Sequence, residues 1–332
     1  MVLSSPLEPM LAASRQELPP DGALPGGWVA ELKIDGFRTV VFARGDQILI
    51  QSRSGADLTP AFPDLKAAAA ALDQDLVLDG ELVVPHHGRL DFGALQHRMR
   101  RRGRTAAQAA EHDPVHLIVF DVLEAAGSEL LERPYRERRA VLEDLFAQEA
   151  LTAPFILCPA TESREKAQEW LAPAWGEVGV EGVVLKGRSQ PYLPGKRAWI
   201  KVRARTTSQA VIAGVTGSLA SPLTLLLGRY DNAGVLRLTA RTTALTPAAR
   251  RELARRLTPA ADDHPWHGRR FSAGWGTRAA LEYHPVQPEL IAEFVGDTTV
   301  DEGRYRHAVR FSRLRDDLTP SQIPPFREPS SP

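Results

Sequence analysis

Short alternating strands, each closed by a glycine-bearing turn, recur along the whole sequence and restrict it to a sheet-rich architecture. Residues 28–35 (Trp-Val-Ala-Glu-Leu-Lys-Ile-Asp) alternate up to Gly36. Residues 37–43 then read as a strand, 44–47 as a turn and 48–52 as the hairpin partner. Residues 76–84 give a strand pair interrupted at Gly80, and 115–123 a strongly apolar strand before a turn at Ala126 and Gly127. Two further strands, 181–186 and 198–203, close this region. Helical spacing covers 62–73 and 133–147, the latter with Leu142, Leu145 and Phe146 on one face. Beyond Arg205 lysine disappears and short strands (210–215, 224–229, 236–241) alternate with turns, interrupted by one helix over 247–257. Gly214, Gly217 and Gly228 are expected as kinks in these strands. The expected fold is α+β in two domains. Residues 1–204 form antiparallel sheets flanked by helices. Residues 205–332 form a small β-barrel with a poorly ordered tail after Pro320.

Charge and composition narrow the function classes. Lysine plus arginine and aspartate plus glutamate both number 41, so the formal net charge is zero. This argues against a protein that coats nucleic acid by bulk charge alone. The 43% hydrophobic content suffices for a core. No apolar run reaches bilayer length, and the N-terminus lacks the charged start and apolar stretch of a secretory signal. The single cysteine, Cys158, rules out a disulfide framework or a cysteine-based zinc site within one chain and reads as a buried thiol. Arg98, Arg100, Arg101, Arg102 and Arg104 form a tight cluster, either a solvated loop or a patch for phosphates. His264 and His267 lack helical spacing, so a surface turn is expected rather than a metal pair.

Lysine usage is more pointed. The chain has six lysines (Lys33, Lys66, Lys166, Lys186, Lys196, Lys201) and uses arginine elsewhere for positive charge. A retained lysine hints at a task arginine cannot perform, such as losing a proton to become a nucleophile. Lys33-Ile34-Asp35-Gly36-Phe37-Arg38 fits such a task. A lysine at a strand end, followed by an acid and a tight turn, can point into a cleft, and the free amine can attack phosphorus.

Five more elements follow in order: Ser52-Arg53-Ser54-Gly55, Asp79-Gly80-Glu81, Phe120-Asp121-Val122, Glu181-Gly-Val-Val-Leu-Lys186 and Trp199-Ile-Lys-Val-Arg203. This ordered set resembles the covalent nucleotidyltransferase superfamily, which holds DNA ligases, RNA ligases and mRNA capping enzymes. The resemblance spans residues 9–318. Phe120 to Leu123, the Glu181 motif and Leu225-Leu-Leu-Gly-Arg-Tyr-Asp231 look like small bacterial ATP-dependent DNA ligases of the ligase C or ligase D kind.

The resemblance implies a nucleotidyltransferase (adenylation) domain over 1–204 and an oligonucleotide-binding (OB) fold over 205–332. It implies Lys33 as the nucleophile that takes up AMP, Glu31 near the adenine edge and Phe120 stacked on the ring. It places Arg38 and Arg53 on ribose or phosphate, Glu81 on ribose or metal, Glu181 on metal, and Lys186 with Lys201 on the α-phosphate. Ile34 and Arg203 belong to the same nucleotide site. Arg315 and Asp317 match the last motif, which serves the pyrophosphate leaving group. Two positions depart from the pattern: Leu318 stands where the family usually has Lys, and Arg203 where a second Lys is common. The implied cofactors are ATP and Mg²⁺, with Mn²⁺ as a substitute. The implied partners are nicked double-stranded DNA and other repair proteins, for a bacterial cytoplasmic monomer acting at the nucleoid. The implied activity is nick sealing in DNA repair by a stand-alone enzyme. RNA ligation, capping chemistry and a non-catalytic DNA-end scaffold are the alternatives.

Overall fold

The computed structural model describes residues 3–272, 280–298, 300, 301 and 303–326. The end of the Pro- and Ser-rich tail, residues 327–332, lies outside them. The chain divides into two units, Met1–Ala204 and Arg205–Pro332. In the first, the alternation of residues 28–52 becomes a run of strands. The main elements in chain order are β1 (Leu11–Arg15), β2 (Trp28–Ile34), β3 (Phe37–Arg44), β4 (Gln47–Ser52), α1 (Pro63–Ala70), β5 (Leu76–Val83), α2 (Phe92–Met99), α3 (Gly103–His112), β6 (His116–Ala125), α4 (Tyr135–Ala147), β7 (Phe155–Leu157), β8 (Ala160–Thr161), β9 (Val180–Gly187) and β10 (Arg197–Arg203).

These strands build two sheets, ordered β1-β10-β9-β2-β8 and β7-β6-β5-β3-β4. Both are antiparallel except at one edge, where β1 runs parallel to β10 and β7 parallel to β6. The expectation of antiparallel sheets is corrected there, because strands joined by long connections are free of the hairpin constraint. The second sheet is buried on both faces. Val40, Phe42, Val77 and Leu123 pack with Met10 and Trp199 between the sheets. Val41, Leu78 and Leu117 face the other way, against Leu65 of α1, Leu95 of α2 and Leu142 of α4. Burial on both faces explains why β5 runs unbroken through Gly80, where a break was expected. The chain absorbs the irregularity as a register shift between Asp79 and Gly80.

The arginine cluster divides. Arg98 is 1% exposed and forks onto Asp64 at 2.7 and 3.2 Å, so it ties α2 to α1. Arg100, Arg101, Arg102 and Arg104 stay exposed. No helix among the described residues is long and apolar enough to cross a membrane.

The second unit holds β11 (Arg205–Ser218), β12 (Ser221–Tyr230), β13 (Leu236–Arg241), α5 (Pro247–Ala254), β14 (Ile291–Asp297) and β15 (Arg310–Leu314). Its sheet is ordered β13-β12-β11-β14-β15. The ends of the outer strands meet at a parallel bridge between Thr242 and Val309, where Val309 N donates to Arg241 O at 2.9 Å. Ile212, Leu225, Leu227, Ala240 and Phe294 fill the interior with Leu253 of α5. Register shifts fall at Gly214, Gly217 and Gly228. The segment around His264 is not a surface turn. Trp266 is fully buried with its Nε1 donating to Leu236 O at 2.9 Å, and His264 is 5% exposed. A large ring with one polar handle is best placed where the ring is covered and the handle bonded.

Candidate active site

Cross-strand register in the first sheet lines up one face of alternating residues. Lys33 lies opposite Gly182 and Glu31 opposite Val184; Gly182 and Val184 lie in turn opposite Arg203 and Lys201. Paired residues share a face, so Glu31, Lys33, Val184, Lys186, Arg197, Trp199, Lys201 and Arg203 all point the same way. With Arg38, Glu81 and Phe120 from the second sheet and Arg53 from the turn after β4, they line a cleft of about 200 Å³. Ile34, Leu32, Leu11 and Ala12 complete the lining.

Two glycines make this arrangement accessible. A Cβ on Gly36, in the turn after β2, would collide with the Leu82 carbonyl oxygen, so the turn can press against β5 only without a side chain. Gly182 has φ of 143°, and its Cβ would strike Val202 O. The register shift between Val180 and Gly182 breaks the alternation of β9 beside Lys33. Glu181, just before that glycine, forms an ion pair with Lys33 Nζ.

The charges separate into two groups. At one end, Glu181 engages Lys33, with Arg203 Nε 3.5 Å away. Burial, then Arg203, Lys33 and Arg53, lower the pKa of Lys201. Burial pushes the Glu81 carboxyl up to about 8, against Lys33 and Arg38, with Glu181 and Asp35 adding to the rise. At the other end, Lys186 is 1% exposed. It donates to Phe120 O at 2.7 Å and pairs with Glu31 at 2.8 Å. Its ammonium also sits 4.5 to 5.1 Å from the ring centres of Trp199, Phe120 and Tyr135. Tyr135 Oη donates to the other Glu31 oxygen at 2.5 Å. Arg38 is held by Asp79 at 2.7 and 3.0 Å, and its guanidinium stacks 5.1 Å from Trp199. Although burial opposes its charge, Asp79 keeps the Arg38 pKa above the ordinary value.

Ten of the expected residues therefore line one cleft: Glu31, Lys33, Ile34, Arg38, Arg53, Glu81, Phe120, Lys186, Lys201 and Arg203. Glu181 reaches the site through its ion pair with Lys33. Lys186 differs from expectation in its company. It is committed to Glu31 and not grouped with Lys201, because it lies diagonally across from Glu31 on neighbouring strands. Arg315 lies in the second unit, bonded to Asp317 at 2.6 and 2.7 Å and to Glu293 at 2.9 Å. Leu318 packs against Val211, Ile291 and Ile323. Sequence reasoning missed Arg197 and gave Trp199 no role, although period-two counting back from Lys201 reaches both. It named Asp79 within a motif but gave it no role, and it missed the buried supports Tyr135 and Tyr192, which carry no motif of their own.

Residues 9–203 match the family described as the ATP dependent DNA ligase domain. The chain belongs to the ATP-dependent DNA ligase family. The ligase is 35% identical to DNA ligase C2 of Mycolicibacterium smegmatis over 94% of this chain and 91% of that one. It is 34% identical to DNA ligase C of Mycobacterium tuberculosis over 95% and 91%. Among solved structures, the ligase domain of M. tuberculosis LigD matches with a TM-score of 0.50 and 29% identity, covering 96% of the ligase and 97% of that domain.

Proposed function

We propose that the ligase seals nicks in duplex DNA through a lysyl-AMP intermediate on Lys33, with the first unit as adenylation domain and the second as OB-fold domain. The observation that carries this reading is the setting of Lys33: one amine at the cleft wall, beside Glu181, near Glu81 and among Lys201, Arg203 and Arg53. The deprotonated Lys33 nitrogen bonds to the α-phosphorus of ATP as the bond to the β-phosphate oxygen breaks, and pyrophosphate leaves with the electron pair. A 5′-phosphate oxygen of the nick then displaces Lys33 from that phosphorus. Finally the 3′-hydroxyl attacks the 5′-phosphate, loses its proton, closes the backbone and releases AMP.

The residues divide this work. Lys201, Arg203 and Arg53 offset charge that develops on phosphoryl oxygens. Phe120 offers a ring face to the purine, with Glu31 and Lys186 at its edge, and Arg38 lies towards the ribose. Glu81 and Glu181 would hold a divalent cation, Mg²⁺ or Mn²⁺. No cluster of three or more metal-ligating side chains occurs among the described residues. Two crowded carboxylates suit Mg²⁺, which takes one or two from protein and completes its shell with water and phosphate oxygens. Such a cation supplies Lewis-acid polarisation of the α-phosphate. A DNA-repair role as a cytoplasmic bacterial monomer is part of the same proposal and is supported only by the resemblance to small bacterial ligases.

The test is intact-protein mass spectrometry after incubation with ATP and Mg²⁺. One AMP should be added to the wild type and none to Lys33→Ala, which should also fail to seal a nicked duplex. Sealing by Lys33→Ala would discard the assigned nucleophile.

A further inference from the structure

In the second unit, Arg241 at the end of β13 and Arg304 in the two-residue strand Arg304–Tyr305 line one cavity of about 50 Å³. Ser272, Tyr305 and His307 share its wall. Neither arginine has an ion pair with a carboxylate among the described residues. Nearby arginines of the unit do: Arg237 with Asp231, Arg256 with Asp316, and Arg313 and Arg315 with Glu293. No acid stands among the lining residues described, and the wall residue His307 faces Asp297, behind the wall, at 2.8 Å. Burial and the charge of Arg241 lower the pKa of Arg304, so the two guanidinium groups repel each other in a half-buried recess. Solvated surface arginines spread apart; two that converge on one recess without a counter-charge are disposed to share an anion. Each presents a planar fork of donors, the geometry that matches phosphate oxygens.

We propose that Arg241 and Arg304 form a phosphate-oxyanion site that holds one backbone phosphate of duplex DNA. This rests on the reading that nicked duplex is the substrate. A chain of zero net charge needs discrete contacts of this kind, because bulk attraction cannot hold a polyanion. Free phosphate offers the same chemistry and is the competing source.

The experiment uses the full chain and measures nicked-duplex affinity by fluorescence anisotropy over a range of salt concentrations, for wild type, Arg241→Gln, Arg304→Gln and the exposed control Arg255→Gln. Loss of one phosphate contact should weaken binding roughly tenfold and reduce the slope of log affinity against log salt by about 1. The control should change neither. Lysyl-AMP formation should proceed at the wild-type rate in all four proteins; its absence in wild type would overturn the ligation reading, not this site. Melting temperature separates a structural role: removing one of two repelling charges should hold or raise it, and a marked fall in both variants would overturn the proposal. Unchanged salt slopes would overturn it too. So would inorganic phosphate that stabilises wild type but not the variants while duplex affinity stays equal in all.

Discussion

Lys186 Nζ stands 2.8 Å from Glu31 Oε2, and both side chains are at most 2% exposed. Two opposite charges withdrawn from water at the wall of the cleft are costly to form, and removing either one leaves the other with only a longer-range partner, Arg139 at 3.5 Å for Glu31 or Asp121 at 3.7 Å for Lys186. Lys186→Met should therefore destabilise the enzyme by about 3 kcal/mol or more, read as a lower denaturation midpoint in urea. Adding Glu31→Gln to that variant should recover part of the loss, because no charge is then left unpaired. Recovery of stability without recovery of AMP uptake would mark the pair as a nucleotide-binding element as well as a structural one.

The turn after Lys33 is equally exacting. Gly36→Ala sets a methyl group against the Leu82 carbonyl oxygen, so the β2–β3 hairpin must shift away from β5. We expect a loss of roughly 1–3 kcal/mol, the usual cost of overpacking. Adenylation should slow by more than tenfold, because Lys33 moves with the hairpin. A variant with normal stability and normal adenylation would show that the turn has more room than its contacts imply.

A pH effect resides in the second unit. Burial, and then His267, lower the pKa of His264 below its ordinary 6.5. Below about pH 6.5 the unfolded chain therefore takes up a proton that the folded chain resists, and stability falls as pH falls through that range. His264→Gln removes this contribution. The melting temperature of wild type relative to His264→Gln should be highest above pH 7 and decline towards pH 5. A constant difference would show that His264 titrates alike in both states.

Legibility followed periodicity and motif order. The strand of residues 28–34 was readable because its polar and apolar residues alternate, and that alternation is the geometry that aims Glu31 and Lys33 into one cleft. Motif residues that touch the cleft were found for the same reason. What stayed hidden has a common cause. Asp79, Tyr135 and Tyr192 act only through side chains that meet across the fold: Tyr192 Oη donates to Asp79 at 2.7 Å from a position 113 residues away. Arg98 resembled its exposed neighbours until Asp64 was brought beside it, and Trp266 resembled a turn until Leu236 covered it. The parallel edges of both sheets depend on pairings between distant segments, which local pattern does not encode.

The departure at Leu318 is open to direct test. The family's usual lysine would place a charge where Leu318 packs beside Val211, Ile291 and Ile323. That cluster is small and Leu318 lies half-buried at its edge, so a lysine stem can keep its methylenes against it and its ammonium in water. Leu318→Lys should then cost only about 1 kcal/mol, from the apolar area no longer buried. The neighbouring Arg315 is fixed independently by Asp317 and Glu293, and its position should not change. With the lysine stem drawn along the apolar cluster, the rate of lysyl-AMP formation should stay within about twofold of wild type. A rise beyond tenfold in that rate, measured by single-turnover labelling with ATP, would mean that the ammonium reaches the leaving group and that Leu318 limits the wild-type enzyme.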